Sequence, residues 1–244
     1  MNLPQIDAGN QNLAQVTEAS WAAIRKANQP PYLFRYGDIL CRLERDNGAC
    51  ATKPLTNPRL RHELARVATW VKWVNNSLRG AKPPNDVVTD MLATPNPPLP
   101  RLTRITEVPV FAPDGTLQTE AGYHEMSQVF YAPANGFAVR KLSDNPGRSQ
   151  IRYAKNLIFK DLVVDFPFVS KADRAHAVAL FLLPFARDLI AGATPNHLVE
   201  SPTPGTGKDL LVDVCLRPAF GPSALATLAQ ATDEEEWRRR ITGV

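Results

Sequence analysis

A turn rich in proline and glycine, near residue 205, constrains the fold of this chain more than any other sequence feature. It reads Ser201-Pro202-Thr203-Pro204-Gly205-Thr206-Gly207-Lys208-Asp209. A short apolar run at 196–199 predicts a buried strand before the turn, and residues 210–215 predict a helix after it. A strand, a glycine-rich turn with a lysine and then a helix form the context of a phosphate-binding loop. The glycines let backbone N–H groups close around a phosphate, and the positive end of the helix adds to the attraction.

The turn departs from the usual pattern G-x-x-x-x-G-K-[ST] at two positions. Gly207 and Lys208 match the last glycine and the lysine. Pro202 stands at the first glycine, and Asp209 replaces the hydroxyl residue that holds Mg²⁺. A carboxylate repels a triphosphate unless Mg²⁺ lies between them. Asp209 therefore either ligates the metal, directly or through water, or points away and leaves metal binding weaker.

We predict that the chain binds ATP, or another nucleoside triphosphate, together with Mg²⁺. Lys208 is the predicted catalytic residue because its ammonium group reaches the outer phosphates, and Asp209 is the predicted metal ligand. The predicted nucleotide-binding residues are Pro202, Thr203, Pro204, Gly205, Thr206, Gly207, Lys208, Asp209 and Leu210. Two other interpretations stay open: the turn is an ordinary loop with proline and glycine, or it belongs to a nucleotide-binding fold without catalysis.

Composition places the chain among soluble globular proteins. Of its 244 residues, 44% are hydrophobic and 21% are charged, and no run of 18 apolar residues predicts a membrane span. The first residues lack the basic and apolar regions of a secretory signal. Three cysteines, an odd number without metal-site spacing, indicate reduced thiols. We therefore expect a cytoplasmic protein that has no membrane partner.

The net positive charge of the chain comes entirely from residues 1–150. Residues 1–150 carry 17 basic and 13 acidic side chains, whereas residues 151–244 carry 11 of each. This excess is compatible with a polyanionic partner such as single-stranded DNA. Four residues on or near a predicted helix that starts at Asn57 are the candidate nucleic-acid contacts: Arg59, Arg61, Arg66 and Lys72. The alternative is that these side chains form only a solvated helix face.

The first 131 residues predict an α+β domain of an accessory or DNA-binding kind. Helices are predicted around 16–24, 57–74 and 85–92, a β-hairpin at 32–43, a second hairpin at 108–119 and a strand at 128–131. Trp70 and Trp73 lie near the apolar stripe of the second helix, and we interpret both as core residues rather than as a surface for base stacking. Residues 132–150 are rich in proline and glycine and predict a linker.

Residues 151–244 predict the beginning of an α/β P-loop NTPase domain that is rich in helices. A helix is expected at 157–165 and another from Ser170 to about 190, with Ser170 and Asp173 as an imperfect capping box. The nearly continuous apolar run at 178–185 predicts burial. A last helix is expected at 232–240, capped by Thr232 and Glu235. A working P-loop ATPase also needs an acid at the end of a second core strand. None follows Lys208, so we expect a truncated chain with half an active site.

Seven segments occur in an order that extends beyond the loop itself. They include Asp165-Phe166-Pro167-Phe168 and Pro202-Thr203-Pro204-Gly205-Thr206-Gly207-Lys208-Asp209, and together they cover 32–38, 65–71, 84–88, 109–117, 122–123, 165–168 and 201–211. This series resembles the primase-associated helicase and ATPase proteins of phages, plasmids and integrative elements, whose ATPase core is AAA+-like. The resemblance implies that residues 204–208 surround the β- and γ-phosphates and that Lys208 is the charge clamp. The family's acidic metal-binding strand would follow Val244.

Three functions are compatible with these observations. The first is the nucleotide-binding part of an ATP-dependent DNA helicase or primase-helicase, whose full-length form assembles as a homo-oligomeric ring around single-stranded DNA. The second is a non-catalytic module that binds DNA or a replication protein and carries a vestigial P-loop. The third, a small kinase, is the least favoured, because about 200 residues precede the loop and nucleotide kinases usually begin close to it.

Overall fold

The chain is described by a computed structural model. The structure describes residues 3–46, 49–134, 136–139, 143, 145–201, 203, 205–220 and 233–237. The chain divides into two compact units, Met1–Ala138 and Val139–Val244. The boundary between them lies within residues 132–150, the segment predicted to be a linker. Among the described residues, no helix has the length and apolar character needed to cross a membrane.

The first unit is a mixed α+β structure with three small sheets. Its helices are α1 (Leu13–Ala27), α2 (Asn57–Val67) and α3 (Asn85–Ala93). Its strands are β1 (Gln5–Asp7), β2 (Leu33–Tyr36), β3 (Ile39–Asp46), β4 (Ala49–Pro54), β5 (Thr69–Val74), β6 (Ser77–Gly80), β7 (Arg101–Leu102), β8 (Arg104–Thr106), β9 (Gly122–His124) and β10 (Val129–Tyr131). The strand orders are β1-β5-β6, β4-β3-β2-β7 and β8-β10-β9, and each sheet contains both parallel and antiparallel pairs. The prediction of an α+β domain is confirmed.

Helix α1 begins and ends at asparagines that satisfy backbone groups. The Asn12 side chain accepts the amide of Gln15 at 3.1 Å, which caps the first turn. The buried Asn28 side chain donates to the Leu33 carbonyl at 2.9 Å and accepts the amides of Tyr32 and Leu33. These three hydrogen bonds fix the direction in which the chain leaves α1 and enters β2.

The core of the first unit lies between the three helices and the first strands. Apolar residues at helical spacing on α1, α2 and α3 face inward. Removing their apolar surface from water stabilises the fold by about 25 cal/mol per Å² of buried area. The buried residues of this core include Trp21, Ile24, Leu33, Leu60, Leu64, Trp70, Val88 and Met91. A smaller cluster surrounds Phe34, whose ring lies 5.0 Å from the ring of Tyr123 and 6.1 Å from that of Phe130.

A buried carboxylate joins α2 to the second sheet. Glu63 on α2 is 5% exposed and accepts hydrogen bonds from Arg42 Nη1 at 2.7 Å and from the Tyr32 hydroxyl at 3.1 Å. Glu44 also pairs with the Arg42 guanidinium. Burial and the neighbouring Glu63 carboxylate together raise the pKa of Tyr32 to about 12. Because each charge has a partner, this cluster stabilises the contact between α2 and β3 rather than leaving a free charge inside.

Both predicted hairpins form. Strands β2 and β3 pair antiparallel around Gly37 and place Phe34 opposite Cys41. The second hairpin is short, with a single bridge between Phe111 and Leu117. Its turn places Gly115 at a φ of 88°, and the Gly115 amide donates to the Ala112 carbonyl at 2.9 Å. The predicted strand at 128–131 corresponds to β10.

The predicted helix at 57–74 is wrong in its second half. Helix α2 ends at Val67, and the next residues form strand β5. The sequence from Thr69 to Val74 is rich in valine, tryptophan and threonine, which pack well on a pleated surface. It pairs in parallel with β1, which lies more than 60 residues earlier in the chain. Apolar spacing alone did not reveal this long-range partner.

The second unit is built from helices. They are α4 (Arg148–Asn156), a π-helical turn (Leu157–Leu162), α5 (Lys171–Ala186), a 3₁₀ turn (Arg187–Leu189) and α6 (Lys208–Phe220). The capping box at α5 is confirmed, because the Ser170 side chain accepts the Asp173 amide at 3.1 Å and Asp173 accepts the Ser170 amide at 2.9 Å. The predicted capping residue Thr232 and the arginines at 238–240 lie outside the described residues.

Two burial predictions for this unit are wrong. The apolar run at 178–185 is only partly covered, and Ala177 is the one buried residue of α5. The run at 196–199 is not a strand, and Leu198 is 83% exposed. A four-residue segment gains ladder hydrogen bonds only from a neighbouring strand, and no strand lies within the described part of this unit.

Candidate functional site

The glycine-rich turn leads directly into a helix that is anchored by packing. Helix α6 begins at Lys208, and its first backbone hydrogen bond runs from the Leu211 amide to the Gly207 carbonyl at 3.0 Å. Leu211 and Cys215, four residues apart on one helix face, are buried against Ala177 of α5. The aromatic pair Phe166 and Phe168, with rings 5.0 Å apart, packs against the same cluster. The N-terminus of α6 therefore has a fixed support.

Both glycines of the turn adopt left-handed backbone conformations. The φ angle is 80° at Gly205 and 81° at Gly207. Residues other than glycine adopt such φ angles at a cost of about 1–2 kcal/mol. The space around them is open, because a Cβ atom on Gly205 would have no neighbour within 4 Å and one on Gly207 would lie 3.9 Å from Phe166 Cε2. Backbone conformation, and not crowding, is the reason for glycine here.

The backbone amides of residues 205–208 lie at or just before the first residue of α6. Within the described residues, the N–H groups of residues 205–208 donate no hydrogen bond. Four N–H groups at the start of any helix lack partners inside that helix, and they attract anions. The role of these amides as a cradle for a polyphosphate stays a prediction.

Lys208 is exposed at the first position of α6 and forms no ion pair with a described residue. It lines an open cleft of about 480 Å³ with Val199, Glu200 and Ser201. Glu200 brings a carboxylate to the same cleft, so a bound phosphate would meet one positive and one negative side chain. A divalent cation between carboxylate and phosphate would remove that repulsion.

The other predicted nucleotide-binding residues take different positions. Thr203, Thr206, Asp209 and Leu210 are exposed. Pro202 and Pro204 lie outside the described residues. Asp209 is the second residue of α6, and its role as a metal ligand stays a prediction. Among the described residues, no group of three or more histidine, cysteine, aspartate or glutamate side chains forms a metal-binding cluster.

A second cleft of about 460 Å³ lies in the same unit and reaches the segment before the turn. Its walls combine two aromatic rings and two imidazoles with aliphatic side chains. The lining residues are Phe166, Pro167, Phe168, Val169, Asp173, His176, Ala177, Leu180, His197, Leu198, Val199, Glu200 and Leu211. Because Val199 and Glu200 also line the cleft of Lys208, the two spaces adjoin.

The four predicted nucleic-acid residues do not form one surface. Arg59 and Arg66 are seven residues apart on α2 and share a side, whereas Arg61 lies opposite, because each residue turns the helix by 100°. The three guanidinium groups donate to the carbonyls of Pro54, His62 and Pro83. Lys72 lies on β5, because the predicted helix ends at Val67. The four side chains therefore do not share one helix face, and their contact with nucleic acid stays a prediction.

The interpretation of Trp73 as a core residue is also wrong. Trp70 is buried, but Trp73 is 63% exposed on β5. Strands β5 and β6 meet in a two-residue turn at Asn75 and Asn76, with φ angles of 49° and 59°. Asparagine tolerates this left-handed region, and turns of this kind connect antiparallel strands. The Asn75-Asn76 pair is the sequence signal that would have revealed the hairpin.

Comparison with known proteins gives no relative. No protein-family model matches the chain, no curated protein matches it, and no solved structure matches it.

Proposed function

We propose that this chain binds ATP, or another nucleoside triphosphate, with Mg²⁺ through the loop 202–210, as part of an ATP-dependent DNA helicase or primase-helicase of a phage or mobile element. The observation that carries the proposal is the pair of left-handed glycines, Gly205 and Gly207, directly before Lys208 and the N-terminus of α6. The series of segments that resembles the primase-associated helicases supports the DNA-directed part of the proposal.

Each part of the loop has a separate task in nucleotide binding. The amides of residues 205–207 donate hydrogen bonds to phosphate oxygens, and the N-terminus of α6 adds its positive partial charge. The Lys208 ammonium group neutralises the outer phosphates. Asp209 would hold Mg²⁺ directly or through water, and the metal would balance the phosphate charge. Hydrolysis of the bound nucleotide would supply the free energy for movement of a homo-oligomeric ring along single-stranded DNA.

The test is binding of a fluorescent ATP analogue with and without Mg²⁺. Lys208→Ala removes a charged hydrogen-bond donor worth about 1.5–3 kcal/mol, so we expect affinity to fall by roughly 10-fold to 150-fold. Lys171→Ala is the matched control, because Lys171 is also an exposed lysine at the first position of a helix. Equal affinity of both variants and the unaltered chain would contradict the proposal.

A second function is favoured by the aspartate at position 209 and by the missing strand at 196–199. In it, the loop is vestigial, and the chain is a non-catalytic module that binds DNA or a replication protein. The same titration, run in parallel with a titration of labelled single-stranded DNA, separates the two functions. Retained binding of single-stranded DNA, together with no Mg²⁺-dependent nucleotide binding, would support the second function and exclude the first.

A further inference from the structure

The hairpin of β5 and β6 extends beyond the third strand of its sheet. Strand β1 pairs only with residues 69–71 of β5, whereas β6 pairs with residues 71–74. Residues 72–79 therefore form a two-stranded ribbon, called here the β5–β6 ribbon, and no further strand among the described residues pairs with this part of β5. All four residues of β6 are exposed.

One face of the β5–β6 ribbon presents an exposed aromatic side chain. Trp73 is directly opposite Leu78, and the two are 63% and 43% exposed. Tryptophan is usually covered in folded proteins, because its ring carries a large apolar area. A bare indole ring beside a leucine offers a flat surface on which another ring can stack.

The neighbouring residue pair of the ribbon is basic. Lys72 is directly opposite Arg79, and both are exposed. Like charges at opposite positions of a strand pair destabilise it. The strands of this sheet contain one carboxylate, Asp7, which accepts the Gly9 amide at 2.8 Å. Neither Lys72 nor Arg79 forms an ion pair with any residue that the structure describes. The ribbon thus carries two basic side chains that have no ion-pair partner among the described residues.

We propose that the β5–β6 ribbon binds single-stranded nucleic acid. An unstacked base lies on Trp73 beside Leu78, and the adjacent phosphates meet Lys72 and Arg79. Lys72 and Arg79 extend from the face of the ribbon opposite to the face that carries Trp73. Both side chains are long. Strand β6 is the outer strand of this sheet among the described residues. A strand that follows this edge is therefore within reach of the ring on one side and of the two cations on the other.

The chemistry favours a single strand over other occupants. An aromatic ring stacks on any unpaired base, and basic groups track the backbone without sequence preference. A duplex hides the faces of its bases inside the stack, so it would use the two cations but not the ring. A protein partner would need to supply acids to meet Lys72 and Arg79. The inference deepens the DNA-directed part of the proposed function but does not depend on the nucleotide loop.

The test is titration of the full chain with a labelled oligonucleotide of about 15 thymidines, a length within the range of single-strand binding sites. Trp73→Ala should weaken binding by about 5-fold to 150-fold, and Trp73→Phe should retain most of the affinity. The matched control is Trp237→Ala, because Trp237 is also partly exposed, at 37%. A uridine oligonucleotide of the same length distinguishes RNA from DNA.

The salt dependence tests the two cations separately. Lys72→Ala with Arg79→Ala should reduce the slope of log affinity against log salt by about 1.4, since each lost phosphate contact on a single strand removes about 0.7. Arg152→Ala with Lys155→Ala is the control pair, two exposed basic residues of α4 in the second unit, and it should leave the slope unchanged.

Three results would overturn the inference: no binding by the unaltered chain, unchanged binding by Trp73→Ala, or equal affinity for a duplex of the same length. A ribbon that docks a protein partner instead would give the second of these results. Lys208→Ala should leave oligonucleotide binding intact. Failure of this inference can therefore be distinguished from failure of nucleotide binding.

Discussion

Replacing Gly207 with alanine tests whether the shape of the turn determines nucleotide binding. The φ of 81° places residue 207 in the left-handed region, where an alanine costs about 1–2 kcal/mol. A Cβ atom there would lie 3.9 Å from Phe166 Cε2, an ordinary contact, so no steric term adds to this cost. A loop that must regain its shape to hold phosphate should therefore bind ATP about 5-fold to 30-fold more weakly.

The assay is isothermal titration of ATP and Mg²⁺ into each variant, together with chemical unfolding. Gly192→Ala is the matched control, because Gly192 also has a left-handed φ of 98° and open space around it, but lies outside the turn. We expect it to lower stability without changing ATP affinity. Gly207→Asn should recover part of the affinity, because asparagine tolerates the left-handed region. Full ATP affinity in a folded Gly207→Ala variant would refute the argument that these backbone angles build the cradle.

Two further predictions concern the buried carboxylate of the first unit. Glu63→Gln removes the charged partner of Arg42 and should cost about 1.5–3 kcal/mol in chemical unfolding. Glu18→Gln, in an exposed pair with Arg25, should cost less than about 1 kcal/mol, and equal costs would contradict this assignment. The folded chain holds the Tyr32 proton up to a pKa of about 12, whereas the unfolded chain releases it near 10. Stability should therefore fall as pH rises from 10 through 12, and Tyr32→Phe should make this fall smaller in pH-dependent unfolding.

Local patterns determined much of the first unit. The apolar stripe of α1, the turn residues of the β2–β3 hairpin and the spacing in α3 act within a few residues, so the sequence was sufficient to predict them. The same is true of the capping box at Ser170, since its hydrogen bonds join residues three positions apart. In these elements, the local preference and the tertiary packing agree.

Long-range pairing explains the main errors. Val67, Val71 and Val74 continue a helical spacing, yet β5 forms because β1 and β6 supply its ladder hydrogen bonds. At 196–199, the apolar residues predicted a strand, but the described part of the second unit offers none to pair with. Periodicity reports which face could be buried, and it does not report whether a partner strand exists.

Only part of the candidate sites could be predicted from local sequence patterns. The glycines at 205 and 207 permit the left-handed angles that the structure shows, because glycine has no Cβ atom to oppose them. The exposure of Trp73 depends on where β1 ends, which no pattern near residue 73 records. The basic residues on α2 and β5 were grouped by an assumed helix, and they separated once that helix ended at Val67.

Amide hydrogen exchange across residues 205–211 tests the central claim most directly. In the described structure, the amides of residues 205–208 donate no hydrogen bond, so they should exchange quickly without a ligand. Saturating ATP with Mg²⁺ should slow their exchange markedly, whereas adenosine, which has no phosphates, should not. Unchanged exchange of these amides at saturating ATP would show that phosphate does not bind this turn, and it would contradict the account.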